Sequence, residues 1–181
     1  VKMHSRRGNW YSDLYSPVLG PSLRRALLHN GMDLILDGEV LAWDNGRKET
    51  VPFGNNRTIA ILRHQYMKRT GALEDIDSNL HEGEKEIKSM NATNTFSDRS
   101  DDLQYDLAGE ECWLQFIAFD ILYIDGPGAT GLLRANISST CHRHARPGSI
   151  VDLEGFDRKR LLYKILKPQE NEVEIVPTLV V

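Results

Sequence analysis

Leu34-Ile35-Leu36-Asp37-Gly38-Glu39-Val40 is an apolar run with two acids and a glycine set into its second half. Alternation over residues 33–43 predicts a strand, with Asp37, Glu39 and Leu41 on one face and Leu36, Gly38 and Val40 on the other. Carboxylates on a buried strand are expensive unless they are paired or hold a cation. Two readings of this block stand. Asp37-Gly38 turns the chain between two short strands and leaves Glu39 on a solvated face, or one continuous strand carries Glu39 to a ligand.

Two further blocks flank it. Phe116-Ile117-Ala118-Phe119-Asp120-Ile121-Leu122-Tyr123 lies within a strongly apolar strand expected over 113–124, with Ile117, Phe119 and Ile121 on one face. Asp125-Gly126-Pro127-Gly128 ends it as a turn. Upstream, His4-Ser5-Arg6-Arg7-Gly8 closes a strand-like segment and a polar turn within residues 1–16. The three blocks offer a cation in Arg6, a carboxylate in Glu39 and an edge aromatic in Phe119. Such a set can hold a phosphate, a ribose or metal, and a flat base. Core packing is the alternative use of Phe119.

The rest of the chain reads as connecting structure. Pro21-Ser22 precedes the stripe Leu23, Ala26 and Leu27, with Gly31 as a stop, which predicts a short amphipathic helix. Asn45-Gly46-Arg47 is turn material, and residues 57–67 read as helical. A helix over 157–167 buries Leu161, Leu162, Ile165 and Leu166 and is stopped by Pro168. Alternation over 172–176 predicts a last strand ended by Pro177.

Residues 68–110 lack sustained periodicity and are expected to be a disordered insertion, with at most a nascent helix over 82–88. Residues 129–152 read as a second, shorter insertion, also expected to be disordered. Cys141, His142 and His144 fall in it, and without a fourth ligand at zinc spacing they read as a solvated loop.

Composition sets the class. The 181 residues hold 40% hydrophobic and 27% charged residues, as a soluble globular domain does. Net charge is −4, so no global basic field announces nucleic acid. The charge is uneven: residues 67–111 carry 12 acids against 5 bases, which leaves the remainder mildly basic. Two cysteines cannot build a disulfide framework and suit a reducing compartment. No run is apolar enough to span a membrane and no signal peptide opens the chain, so the sequence triplets that resemble glycosylation sites carry no weight. An opening on Val1 reads as a cut.

The order Ser5-Arg6, then Leu36-Asp37-Gly38-Glu39, then Ala118-Phe119-Asp120-Ile121-Leu122-Tyr123-Ile124-Asp125-Gly126 resembles the adenylation domain of ATP-dependent DNA ligases, within the covalent nucleotidyltransferases. The texture of residues 36–44 with their Trp43-Asp44 ending, of Pro52-Phe53-Gly54-Asn55-Asn56, and of Arg160-Leu161-Leu162 through Val173-Glu174-Ile175-Val176-Pro177 is similar to the ligase IV branch. The resemblance covers the chain outside the two insertions.

It implies an α+β, ATP-grasp-like fold of antiparallel-rich mixed sheets flanked by helices, incomplete at both ends. It implies ATP and Mg²⁺ as cofactors, with Arg6 on ribose or phosphate, Glu39 on ribose or a divalent metal, and Phe119 stacked on adenine. The implied parent works in the nucleus. It joins DNA ends or nicks in double-strand break repair by non-homologous end joining, through lysyl-AMP and DNA-adenylate intermediates, with repair scaffold proteins as possible partners.

The nucleophile of that family stands in Lys-x-Asp-Gly. None of the eight lysines has that context, and Lys68-Arg69-Thr70-Gly71 comes nearest. No catalytic residue is therefore assigned, and the chain by itself is expected to be inactive. Glu154-Gly155 precedes the Leu161-Leu162 helix, whereas the family's Glu-Gly follows it, so Glu154 reads as helix-start chemistry. An RNA capping or RNA-joining nucleotidyltransferase and a degenerate nucleotide-binding module are the rival readings.

Overall fold

The computed structural model describes residues 1–29, 31–72, 111–137 and 147–177. Its elements are α1 (Ser12–Ala26), β1 (Asp33–Asp44), β2 (Glu49–Thr50), α2 (Asn56–Thr70), β3 (Cys112–Asp125), α3 (Ala129–Asn136), β4 (Gly148–Ser149), α4 (Gly155–Ile165) and β5 (Val173–Ile175). Five strands form one sheet in the order β2-β1-β3-β4, with β5 beside β3. β2 runs antiparallel to β1, β4 antiparallel to β3, and β5 parallel to β3. The α+β class with a mixed, antiparallel-rich sheet is the observed one.

The chain divides into two compact units. Val1–Pro21 and Leu41–Leu114 form the first, and Ser22–Val40 and Gln115–Val181 the second.

In the first unit, the amino-terminal segment folds back on the start of α1. Met3 N–H donates to Ser12 Oγ at 2.7 Å, and Tyr11 N–H donates to Met3 O at 3.0 Å. The turn after β1 is closed by Asp44 Oδ1, which accepts from Arg47 N–H at 3.0 Å, an Asx turn that sets Trp43 opposite Thr50. α2 ends in a Schellman cap: Gly71 adopts the left-handed region at φ 69°, and Ala72 N–H donates to Met67 O at 2.9 Å. Lys68-Arg69-Thr70-Gly71 is therefore the last helical turn and its cap. The helix runs three residues past its expected end at Met67. Ile59, Ala60, Ala42, Val51, Cys112 and Leu114 are buried in this unit.

In the second unit, Leu161, Leu162 and Ile165 are fully buried along α4, as the apolar stripe predicts. The ends of α1 and α4 are joined through the backbone. Leu28 N–H donates to Ile165 O, and Lys167 N–H donates to Ala26 O, each at 2.8 Å. β5 is held on β3 by Phe116 N–H to Glu172 O at 2.8 Å and Val176 N–H to Ala118 O at 3.1 Å.

The structure corrects the sequence expectations in three places. Helix α1 begins at Ser12 rather than at Pro21, with Pro17 and Pro21 both inside it. Interior prolines remove two donors and cost about 3 kcal/mol each, but burial of Val18, Leu19, Leu23 and Ala26 along the helix opposes that. Residues 129–152 are not irregular throughout. Residues 129–136 form α3, which buries Ala129 and Leu133 and touches α4, and residues 148–149 pair with β3. Asp37-Gly38 does not turn the chain: both residues lie inside the continuous strand β1. The expected disorder over 73–110 and 138–146, and the Cys141, His142 and His144 group, lie outside the described residues.

Candidate functional site

β1 and β3 are neighbours, and three close approaches fix their register. Asn45 N–H donates to Glu111 O at 2.8 Å. Gly38 lies against Phe116 and Ile117, and Gly126 against Gly31 and Met32. Numbers rise along one strand as they fall along the other, so the pair is antiparallel.

Gly38 settles which faces coincide. A Cβ there would come within 2.5 Å of Phe116 Cζ, so positions 38 and 116 share a face. Side chains alternate along a strand. Glu39 therefore shares the other face with Ile117 and Phe119, and the register sets Phe119 level with residues 36–39. On this face Ile35, Asp37 and Glu39 are exposed, and Phe119 is 40% exposed. Farther along, Ile121 is fully buried. The second unit thus carries an aromatic ring and two carboxylates together on an open stretch of sheet.

Behind the ring stands a group that sequence reasoning missed. Arg158 of α4 holds Asp120 in a fork: Nε lies 3.1 and 2.9 Å from the two carboxylate oxygens, and Nη2 lies 2.8 Å from Oδ2. Its Nη1 donates to Val151 O at 3.1 Å and to Leu153 O. Lys159 Nζ donates to Phe119 O at 2.8 Å. Burial lowers the Lys159 pKa, and the Asp120 carboxylate opposes that shift. Hydrogen bonding to Asp120 raises that of Arg158. Phe156-Asp157-Arg158-Lys159 carries only a helix-start signal in the sequence; nothing local ties it to Asp120. Glu154 stands at the N-cap of α4, exposed, and its carbonyl accepts from Arg158 N–H at 3.1 Å, which fits the helix-start reading.

Arg6 belongs to the first unit. His4 and Trp10 form an isolated antiparallel bridge with their rings edge-on at 4.8 Å. Gly8 N–H donates to Ser5 O at 2.8 Å, and Ser5 N–H donates to Asn9 O at 2.9 Å. Arg6 and Arg7 occupy the tip of this tight turn, both exposed. The structure brings Glu39 and Phe119 together on one face and sets Arg6 on a turn of the other unit.

An exposed ring can take a flat base, and exposed carboxylates can take ribose hydroxyls or a cation. Among the described residues no group of three or more His, Cys, Asp and Glu could hold a metal, and no helix is long and apolar enough to cross a membrane.

Over residues 1–181 the sequence matches the family model described as an ATP-dependent DNA ligase domain. It is 26% identical to DNA ligase 4 of Kluyveromyces lactis, across 97% of this chain and 14% of that protein. No solved structure matches.

Proposed function

The chain belongs to the ATP-dependent DNA ligase domain family, and on that premise we propose that it supplies the base- and ribose-binding face of a ligase IV-like enzyme that joins breaks in DNA. The observation that carries this reading is the shared open face of Glu39 and Phe119 on adjacent strands. Phe119 offers its ring to adenine, a contact worth roughly 1–3 kcal/mol per base. Glu39, with Asp37 on the same face, accepts hydrogen bonds from the ribose. Arg6 presents a rigid donor fork that suits phosphate oxygens.

The donor set fits Mg²⁺. That ion is held in nucleotide sites by one or two carboxylates together with phosphates and waters, and Asp37 and Glu39 are carboxylates of that kind. When bound, Mg²⁺ neutralises charge on the phosphates.

In the reaction proposed for the whole enzyme, a lysine attacks the α-phosphate of ATP and pyrophosphate leaves. AMP passes to a 5′-phosphate at the break, and the 3′-hydroxyl displaces AMP as the strand closes. These 181 residues contain no Lys-x-Asp-Gly, so the lysine comes from elsewhere in the enzyme. The chain spans 14% of the length of the DNA ligase 4 it matches. Action in the nucleus, in double-strand break repair and beside repair scaffold proteins follows from the ligase IV likeness and is part of the proposal.

The test is a joining assay on the full-length protein with ATP and Mg²⁺, run side by side on a nicked DNA duplex and on RNA ends. Sealing of the DNA nick is expected. Preference for RNA ends would replace this reading with an RNA-joining enzyme. ATP binding without joining of either would make the chain part of a binding module.

A further inference from the structure

We propose that Arg158 and Lys159 are positioning residues for Phe119: from the first turns of α4 they clamp β3 on both sides of the Phe119–Asp120 peptide and so fix where the ring stands. This inference rests on Phe119 being the base platform.

The need for a clamp follows from the exposure of the ring. A side chain that is 40% exposed is held by packing over only part of its surface, so its place depends also on its backbone. Two side chains of α4 reach this stretch of strand. Lys159 Nζ takes the Phe119 carbonyl at 2.8 Å. Arg158 takes the next side chain, Asp120, through Nε and Nη2 at 2.8–3.1 Å. Alternation puts Asp120 on the face opposite the ring, so the fork grips the strand from behind and leaves the front open.

Arg158 is itself immobilised. Its Nη1 bonds the carbonyls of Val151 and Leu153, so one guanidinium joins α4, the loop before it and β3. Asp120 is held from its own strand as well, because Ile121 N–H donates to Asp120 Oδ1 at 2.8 Å. A planar fork that satisfies a carboxylate and two carbonyls at once has no equivalent in lysine or glutamine. Arg158 also neutralises Asp120, which otherwise would add a third negative charge to those of Asp37 and Glu39 close to a site meant for a polyanion.

The experiment is an ATP titration of the full chain by calorimetry, with melting curves on the same preparations. The variants are Phe119→Ala, Lys159→Met, Lys159→Arg and Arg158→Gln, and each position 158 and 159 variant is repeated on the Phe119→Ala background. Lys159→Met and Arg158→Gln should each weaken ATP by about 3- to 10-fold, the size of one or two lost hydrogen bonds. Lys159→Arg keeps a donor and should recover most of the loss. On the Phe119→Ala background neither variant should weaken ATP further, because a clamp with no ring to place has nothing left to do.

Unchanged ATP affinity in Lys159→Met and Arg158→Gln, with melting lowered or not, would overturn the clamp. So would losses that add in full to that of Phe119→Ala. Unchanged affinity in Phe119→Ala itself, or no ATP binding by the unaltered chain, would instead overturn the platform reading and the clamp along with it.

Discussion

Gly38 lies against the ring of Phe116, and a Cβ at position 38 would come within 2.5 Å both of Phe116 Cζ and of the Ile117 carbonyl oxygen. The ring could rotate away, but the carbonyl is part of β3 and cannot move without the strand. Gly38→Ala should therefore lower stability by about 2–3 kcal/mol, the upper part of the range for overpacked sites. For a chain of this length that is a fall in melting temperature of roughly 4–12 °C. Adding Phe116→Leu should recover only the part due to the ring. A melting temperature for Gly38→Ala within a degree of the unaltered chain would show that β1 and β3 are not so closely set.

Cys112 gives a pH dependence with a definite sign. Burial raises its thiol pKa, the Asp44 and Glu111 carboxylates push the same way, and Arg47 opposes them. The folded chain therefore keeps a proton that the unfolded chain gives up. This stabilisation is complete below the ordinary thiol range and is lost as pH rises through it, because the unfolded state then binds fewer protons. Urea unfolding at pH 7.5 and at pH 10, compared for the unaltered chain and Cys112→Ala, checks this. The unaltered chain should lose more stability than Cys112→Ala between the two pH values. Equal losses would mean that the thiol titrates alike in both states.

The elements that were legible in the sequence are those whose signal is local. β1 alternates, β3 is a long apolar run ended by Asp125-Gly126, Leu161, Leu162 and Ile165 repeat at helical spacing, and Asn45-Gly46-Arg47 carries its own turn chemistry. The first half of helix α1 was masked because Pro21 reads as the start of a helix, and two prolines inside one helix make sense only with the burial that offsets them. α3 was masked because its apolar positions, Ala129 and Leu133, make sense only beside α4. The candidate site divides in the same way. That Glu39 and Phe119 each stand on a definite face follows from alternation. That the two faces are one face follows from the Gly38–Phe116 contact, and the grip of Arg158 on Asp120 also joins residues far apart in sequence. Neither leaves a local trace.

The isolated chain should form no covalent adenylate, because none of its eight lysines stands in Lys-x-Asp-Gly. Lys68, which comes nearest, occupies the last turn of α2 just ahead of the Gly71 cap. Incubation with α-labelled ATP and Mg²⁺ followed by denaturation should leave the protein unlabelled. Stoichiometric label resistant to denaturation would place a nucleophilic lysine within these residues and reverse the expectation.

Glu39 and Phe119 share a face but should fail in different ways when replaced. Stacking on adenine acts on bound ATP and on the transition state alike, so Phe119→Ala in the full-length enzyme should weaken ATP binding about 5-fold or more and slow the bound step little. A carboxylate that orients the ribose or a cation acts on alignment. Glu39→Ala should therefore slow single-turnover adenylate formation at saturating ATP by about 10-fold or more, with a smaller change in affinity. Both side chains are exposed, so neither change should lower the melting temperature by more than a few degrees. If both variants melt well below the unaltered enzyme while rate and affinity per folded molecule stay the same, the two residues are packing, and the assignment of this face to nucleotide fails.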